Sequence, residues 1–239
     1  MGETTVVADL RETSSGEHCP LCTLVFRSEE RFLEALIYEQ VNDIGGRDVL
    51  RAARGFCFRH SGMLAERPSA LGSAIIAHDV VRALQRVVAA DDGKASQSRG
   101  WFGSKGDDRL AAQLAPSQEC PACTRTAEME RVYLSGLLDL LNDEDFVKDY
   151  RKGKGLCLPH LMQALRARST PQARASLLAH QATAWHQLEE ELAEFIRKSD
   201  YRFVRNEEPT EAERTAWQRA LRLLSGWRDD LPPPNRRSR

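Results

Sequence analysis

The chain has 239 residues, enough for one large domain or two small ones with a buried core. Its 34 Lys and Arg balance 35 Asp and Glu, which argues against a generally basic nucleic-acid binder. Six cysteines are too sparse for a disulfide scaffold at this length, so their positions carry the information.

Residues 1–16 are expected to be flexible, and no basic segment there leads into the apolar run of a secretory signal. Cys19-Pro20-Leu21-Cys22 then opens a helical stretch. Leu24, Val25, Phe32, Leu33, Leu36, Ile37 and Val41 recur in it at mixed three- and four-residue steps. A short segment around Val49 and Leu50 leads to Gly55-Phe56-Cys57-Phe58-Arg59-His60, where another short helix is expected. A longer helix is predicted over residues 69–90. His78, Asp79, Arg82 and Arg86 interrupt its apolar face, and no stretch of the chain is long and apolar enough to span a membrane. Residues 92–108 read as a flexible linker rich in Gly, Ser and mixed charge, with Trp101 and Phe102 as an anchor onto a neighbouring helix or, alternatively, a docking site for a partner.

The pattern then returns. Cys120-Pro121-Ala122-Cys123 precedes a helical series of Met129, Val132, Tyr133, Leu137, Leu140 and Leu141. Phe146, Val147 and Tyr150 follow, and then Gly155-Leu156-Cys157-Leu158-Pro159-His160. Pro159 suits the first turn of a helix. Long helices are predicted over residues 171–198 and 210–227. The second has Thr210 as N-cap and Glu213 three residues on, a capping box. Residues 228–239 are expected to be disordered.

The recurrence reads as an internal duplication. Cys19 and Cys120 are offset by 101 residues, and Cys57 and Cys157 by 100. Asn42-Asp43 matches Asn142-Asp143, and the segment ending in His78 matches that ending in His180. The organisation expected is an all-α protein of two helical metal-binding units, residues 17–91 and 109–202, followed by a C-terminal helix within 203–227.

Each unit supplies a CPxC and a Cys-x-x-His. Soft thiolates and imidazole are the donors zinc takes in a tetrahedron. Cys-x-x-His at a helix start puts a thiolate and an imidazole on one face, where the helix N-terminus favours the thiolate. Grouped by repeat, Cys19, Cys22, Cys57 and His60 form one expected site, and Cys120, Cys123, Cys157 and His160 the other. Two structural Zn2+ ions are the expected cofactors, with an iron–sulfur cluster as the competing metal reading. A thioredoxin-type dithiol lacks its βαβ setting. His78 and His180 are expected to be helix histidines kept by packing, with a role around the metal or in a shared pocket as the sharper alternative. His18 has no counterpart in the second repeat.

No P-loop, GxGxxG, HExxH or GxSxG occurs, so the reading leans away from an enzyme. The duplicated CPxC…G-[Phe/Leu]-Cys-x-x-His pattern, with Glu130, Tyr133 and Leu134 after the second CPxC, resembles a group of uncharacterised bacterial proteins. That resemblance spans roughly residues 17–227. It implies a bacterial cytosolic protein and supports the eight ligand positions, but it brings no activity. The function expected is a zinc-binding, cytoplasmic binding or adaptor module for an unknown protein partner. The alternatives are a thiol-based redox or metal sensor, an iron–sulfur protein, or an enzyme with a cleft between the two units.

Overall fold

The computed structural model describes residues 3–39, 41–90, 108–200 and 207–226. Among them the protein is all-α, with eleven helices and no strand. Residues 92–107 of the expected linker, with Trp101 and Phe102, and the expected C-terminal tail lie outside the described residues. The chain divides into two compact units. One comprises Met1–Arg27 with Met129–Arg239, and the other Ser28–Glu128. The divisions fall inside helices α2 (Pro20–Tyr38) and α7 (Pro121–Leu140), so the units do not follow the repeats.

The discontinuous unit holds α1 (Glu3–Thr13), α8 (Glu144–Tyr150), α9 (Leu158–Arg166), α10 (Pro171–Lys198) and α11 (Glu211–Ser225), with the start of α2 and most of α7. Its core is built from Leu10, Leu21, Leu24, Tyr133, Leu137, Phe146 and Tyr150, all essentially inaccessible to water. Within the stretch expected to be flexible, Glu3–Thr13 instead forms α1. Val6 and Leu10 are buried in this core, and a buried apolar pair is what holds so polar a helix in place. Tyr133 donates from its hydroxyl to Asp9 at 3.0 Å, and Arg11 pairs with Asp143 at 2.5 Å. The predicted capping box forms: Thr210 accepts from the Glu213 backbone, and Glu213 accepts from that of Thr210. Glu213 also binds Lys198, tying α11 to α10.

The continuous unit holds α3 (Ile44–Ala52), α4 (Phe58–Ala65), α5 (Ala70–Ala90) and α6 (Asp108–Leu114), with most of α2 and the start of α7. Leu36, Leu50, Ile76 and Val80 form its core. Its α6 begins at the last residue assigned to the linker.

Residues matched between the repeats do matching work. Asp43 caps α3 by accepting from Gly46, and Asp143 caps α8 by accepting from Asp145 and Phe146. Gly55 and Gly155, before the two Cys-x-x-His motifs, have φ of 94° and 73°. Glycine adopts that left-handed turn without the penalty a Cβ would bring. Cys57 and Cys157 then stand as N-caps of α4 and α9.

Candidate metal centres

The side chains predicted as ligands gather into two clusters, each with its four donor atoms within 4.8 Å of one another. The grouping differs from the expected one. Cys19 and Cys22 meet Cys157 and His160, while Cys57 and His60 meet Cys120 and Cys123. Each CPxC pair therefore completes the Cys-x-x-His of the other repeat. The first cluster lies wholly in the discontinuous unit and the second wholly in the continuous one.

Helix rigidity explains the exchange. Glu29 faces His60, with its Oε1 at 3.7 Å from Nε2. Glu29 is seven residues beyond Cys22 on α2, an axial rise of about 10 Å. A straight α-helix cannot bring Cys22 back to a metal held beside Glu29. Glu130 stands in the same relation to Cys123 on α7, and it binds His160.

In the first cluster, His160 Nδ1 lies 3.4 Å from Cys19 Sγ, 3.3 Å from Cys22 Sγ and 3.1 Å from Cys157 Sγ. Cys22 and Cys157 have their sulfurs 3.5 Å apart. In the second, His60 Nδ1 lies 3.2 Å from Cys57 Sγ, 3.6 Å from Cys120 Sγ and 3.5 Å from Cys123 Sγ. A tetrahedron with metal–sulfur bonds of about 2.3 Å and metal–nitrogen bonds of about 2.0 Å has edges of about 3.5–3.8 Å. The donors are thus set nearly at coordination spacing, and both clusters could hold a metal ion.

The outer nitrogen of each histidine faces a carboxylate. His160 Nε2 and Glu130 Oε1 are 2.8 Å apart, and Gln163 donates to the same oxygen at 3.0 Å. Such a carboxylate fixes Nε2 as the protonated nitrogen and leaves Nδ1 to the metal. At the second cluster the 3.7 Å separation is too long for a hydrogen bond. There Glu29, 1% exposed, instead accepts from Thr126 at 2.8 Å and from Arg59 at 2.5 Å. The sequence reading missed both carboxylates as a pair, although they carry the 101-residue offset of the cysteines. Glu130→Gln is expected to weaken metal binding at the first cluster by about 10–100-fold, with less effect from Glu29→Gln at the second. Competition with a chromophoric chelator checks both.

Burial and close mutual packing shift the titration of the clustered groups. Burial pulls His60 down, but Cys120, Glu29 and Cys57 outweigh it and lift the imidazole to about 10. Burial likewise opposes Cys157 and Glu130, which lift His160 to about 9. Burial raises the Cys120 thiol, yet His60 and backbone donors bring it down to about 6. Cys123 is pushed up to about 12 by burial and by its Cys57 and Cys120 neighbours. In the first cluster Cys157 and Cys19 drive Cys22 upward. A cation bound here would displace the protons that these groups carry.

The remaining histidines belong to neither cluster. His180 is buried against the Tyr150 ring, edge-on at 4.8 Å, and burial with the nearby Arg151 charge lowers its pKa. His78, its match in the first repeat, is exposed beside Asp79 and Arg82. His18 is exposed at the mouth of a pocket beside the first cluster.

No solved structure matches the chain. The chain is similar to a protein described as "Uncharacterized 23.9 kDa protein in xynA 3'region" from Caldicellulosiruptor sp. (strain Rt8B.4). The two are 23% identical over 219 residues, covering 90% of this chain and 98% of the relative. The model of one family, described as "Family of unknown function (DUF6062)", matches residues 4–230, across both clusters. With that match running nearly from end to end, the chain belongs to this family of unknown function.

Proposed function

We propose that the protein is a two-zinc helical binding module in which each cluster holds one structural Zn2+. The observation that carries this reading is the pair of three-Cys, one-His donor sets already near tetrahedral spacing. Four protein donors fill the zinc shell and leave no position for the water a hydrolytic zinc requires. Each ion would tie the start of a long helix to the start of a short one, α2 to α9 and α7 to α4. Structural zinc in small domains binds with on the order of 10 kcal/mol, so metal and fold would be lost together. Because the thiols must shed protons to bind, acidification would release the ions.

A binding role draws support from α11. Trp217, Leu221 and Leu224 recur at helical spacing and are 47%, 56% and 58% exposed. The metal reading is tested by elemental analysis of protein purified without chelator. Two zinc ions per colourless chain are expected. A brown iron–sulfur protein, or a folded chain without metal, overturns it.

A further inference from the structure

A pocket of about 210 Å³ opens beside the first cluster, wholly within the discontinuous unit. Cys19, Cys22 and Cys157 line it together with apolar Phe26, Leu188 and Leu223, and charged groups including Glu17, Lys154, Arg219 and Arg222 also border it. A pocket of this size suits a compact organic molecule with an apolar body. A pocket that ends on three thiolate ligands brings whatever enters it against the most oxidisable atoms of the chain.

We propose that the first cluster is an oxidant-responsive zinc site, entered through this pocket by organic hydroperoxides, with a Cys22–Cys157 disulfide as its product. This rests on the zinc reading above and specifies how one of the two sites is regulated. Cys22 is the partly exposed thiolate of the pair, whereas Cys157 is 3% exposed. The Cys22 sulfur attacks the terminal peroxide oxygen and the O–O bond breaks. The alkoxide takes a proton and leaves as the alcohol, and Cys22 becomes a sulfenic acid. Cys157, whose sulfur is 3.5 Å away, attacks that sulfur. The S–S bond forms, and the sulfenic oxygen leaves with a proton as water. Two thiolates are oxidised and one hydroperoxide is reduced to alcohol and water. Zinc, left with Cys19 and His160, dissociates.

The apolar walls supply the preference for an organic oxidant. Phe26, Leu188 and Leu223 can receive an alkyl or aryl body, a contact that hydrogen peroxide lacks, whereas the polar lining groups can hydrogen-bond either oxidant. Ala184 also lines the pocket, so a larger side chain there would occupy it.

The test treats zinc-loaded protein with cumene hydroperoxide or with hydrogen peroxide. It follows zinc release with a chromophoric chelator and maps disulfides by mass spectrometry under non-reducing conditions. Cumene hydroperoxide is expected to release the first zinc about tenfold faster than hydrogen peroxide, with Cys22 joined to Cys157. Ala184→Phe should abolish that preference while the untreated protein keeps both ions. Leu188→Phe serves the same purpose if Ala184→Phe fails to retain metal. Equal rates for the two oxidants, a preference that survives a filled pocket, or disulfides formed first at Cys57 or Cys123 would each overturn the proposal. Absence of zinc before treatment would instead overturn the metal reading.

Discussion

A Cys22→Ser, Cys157→Ser double variant will retain one metal ion per chain, whereas Cys22→Ser combined with Cys57→Ser will retain none bound tightly. The first pair of substitutions falls within one cluster, and the second pair damages both. Ligands grouped by repeat would reverse the result, because Cys22 and Cys57 would then serve the same ion. The energies make the contrast easy to read. Under the zinc proposal each site would contribute on the order of 10 kcal/mol of metal binding, and losing one of four donors would remove most of the tight affinity. Stability follows occupancy through mass action, so the variant with both clusters damaged should also lose the most resistance to urea. Zinc per chain by elemental analysis, alongside a urea transition, distinguishes the two groupings in four proteins: wild type, Cys22→Ser and the two double variants.

The second large effect concerns the core that supports the first cluster. Phe146→Ala is expected to destabilise the protein by about 3–5 kcal/mol. Phe146 is inaccessible to water and stacks on Tyr150 with centroids 6.0 Å apart and planes inclined by 16°. The Arg11 guanidinium also lies over the Phe146 ring, 5.8 Å from its centroid. Truncation would therefore open a cavity and release α1 together with α8. Phe146→Leu keeps most of the volume and should cost less than about 1.5 kcal/mol. Urea unfolding followed by circular dichroism measures both. A loss under 1 kcal/mol in the alanine variant would mean that α1 and α8 are not held as described.

Most of the helical framework was legible because its signals are local. The long helix predicted over residues 171–198 is found as α10 over that span, and the capping box at Thr210 is present. Asp43 and Asp143 stood out only as a matched pair, and both prove to be N-caps. Helix α1 was missed because its apolar signal is sparse, and its stability comes from Leu10 meeting a core assembled by distant residues. All eight side chains of the two clusters were named, but their grouping was not recovered. Spacing along a chain identifies half-sites, and nothing in a CPxC says which Cys-x-x-His it will face. The missing clue was geometric. Glu29 and Glu130 lie two helical turns beyond the CPxC pairs, so each marks a histidine position that the pair on its own helix cannot reach.

The exchange of CPxC pairs has a consequence for what one repeat is worth by itself. A lone repeat carries two half-sites that belong to different clusters. Two copies of that repeat, however, would complete each other reciprocally, each lending its cysteines to its twin, as in a closed two-fold dimer. Within one polypeptide the two partners can never dilute apart. The pairing becomes a matter of effective concentration rather than of expression level, and a bimolecular handshake turns into a property of a single molecule.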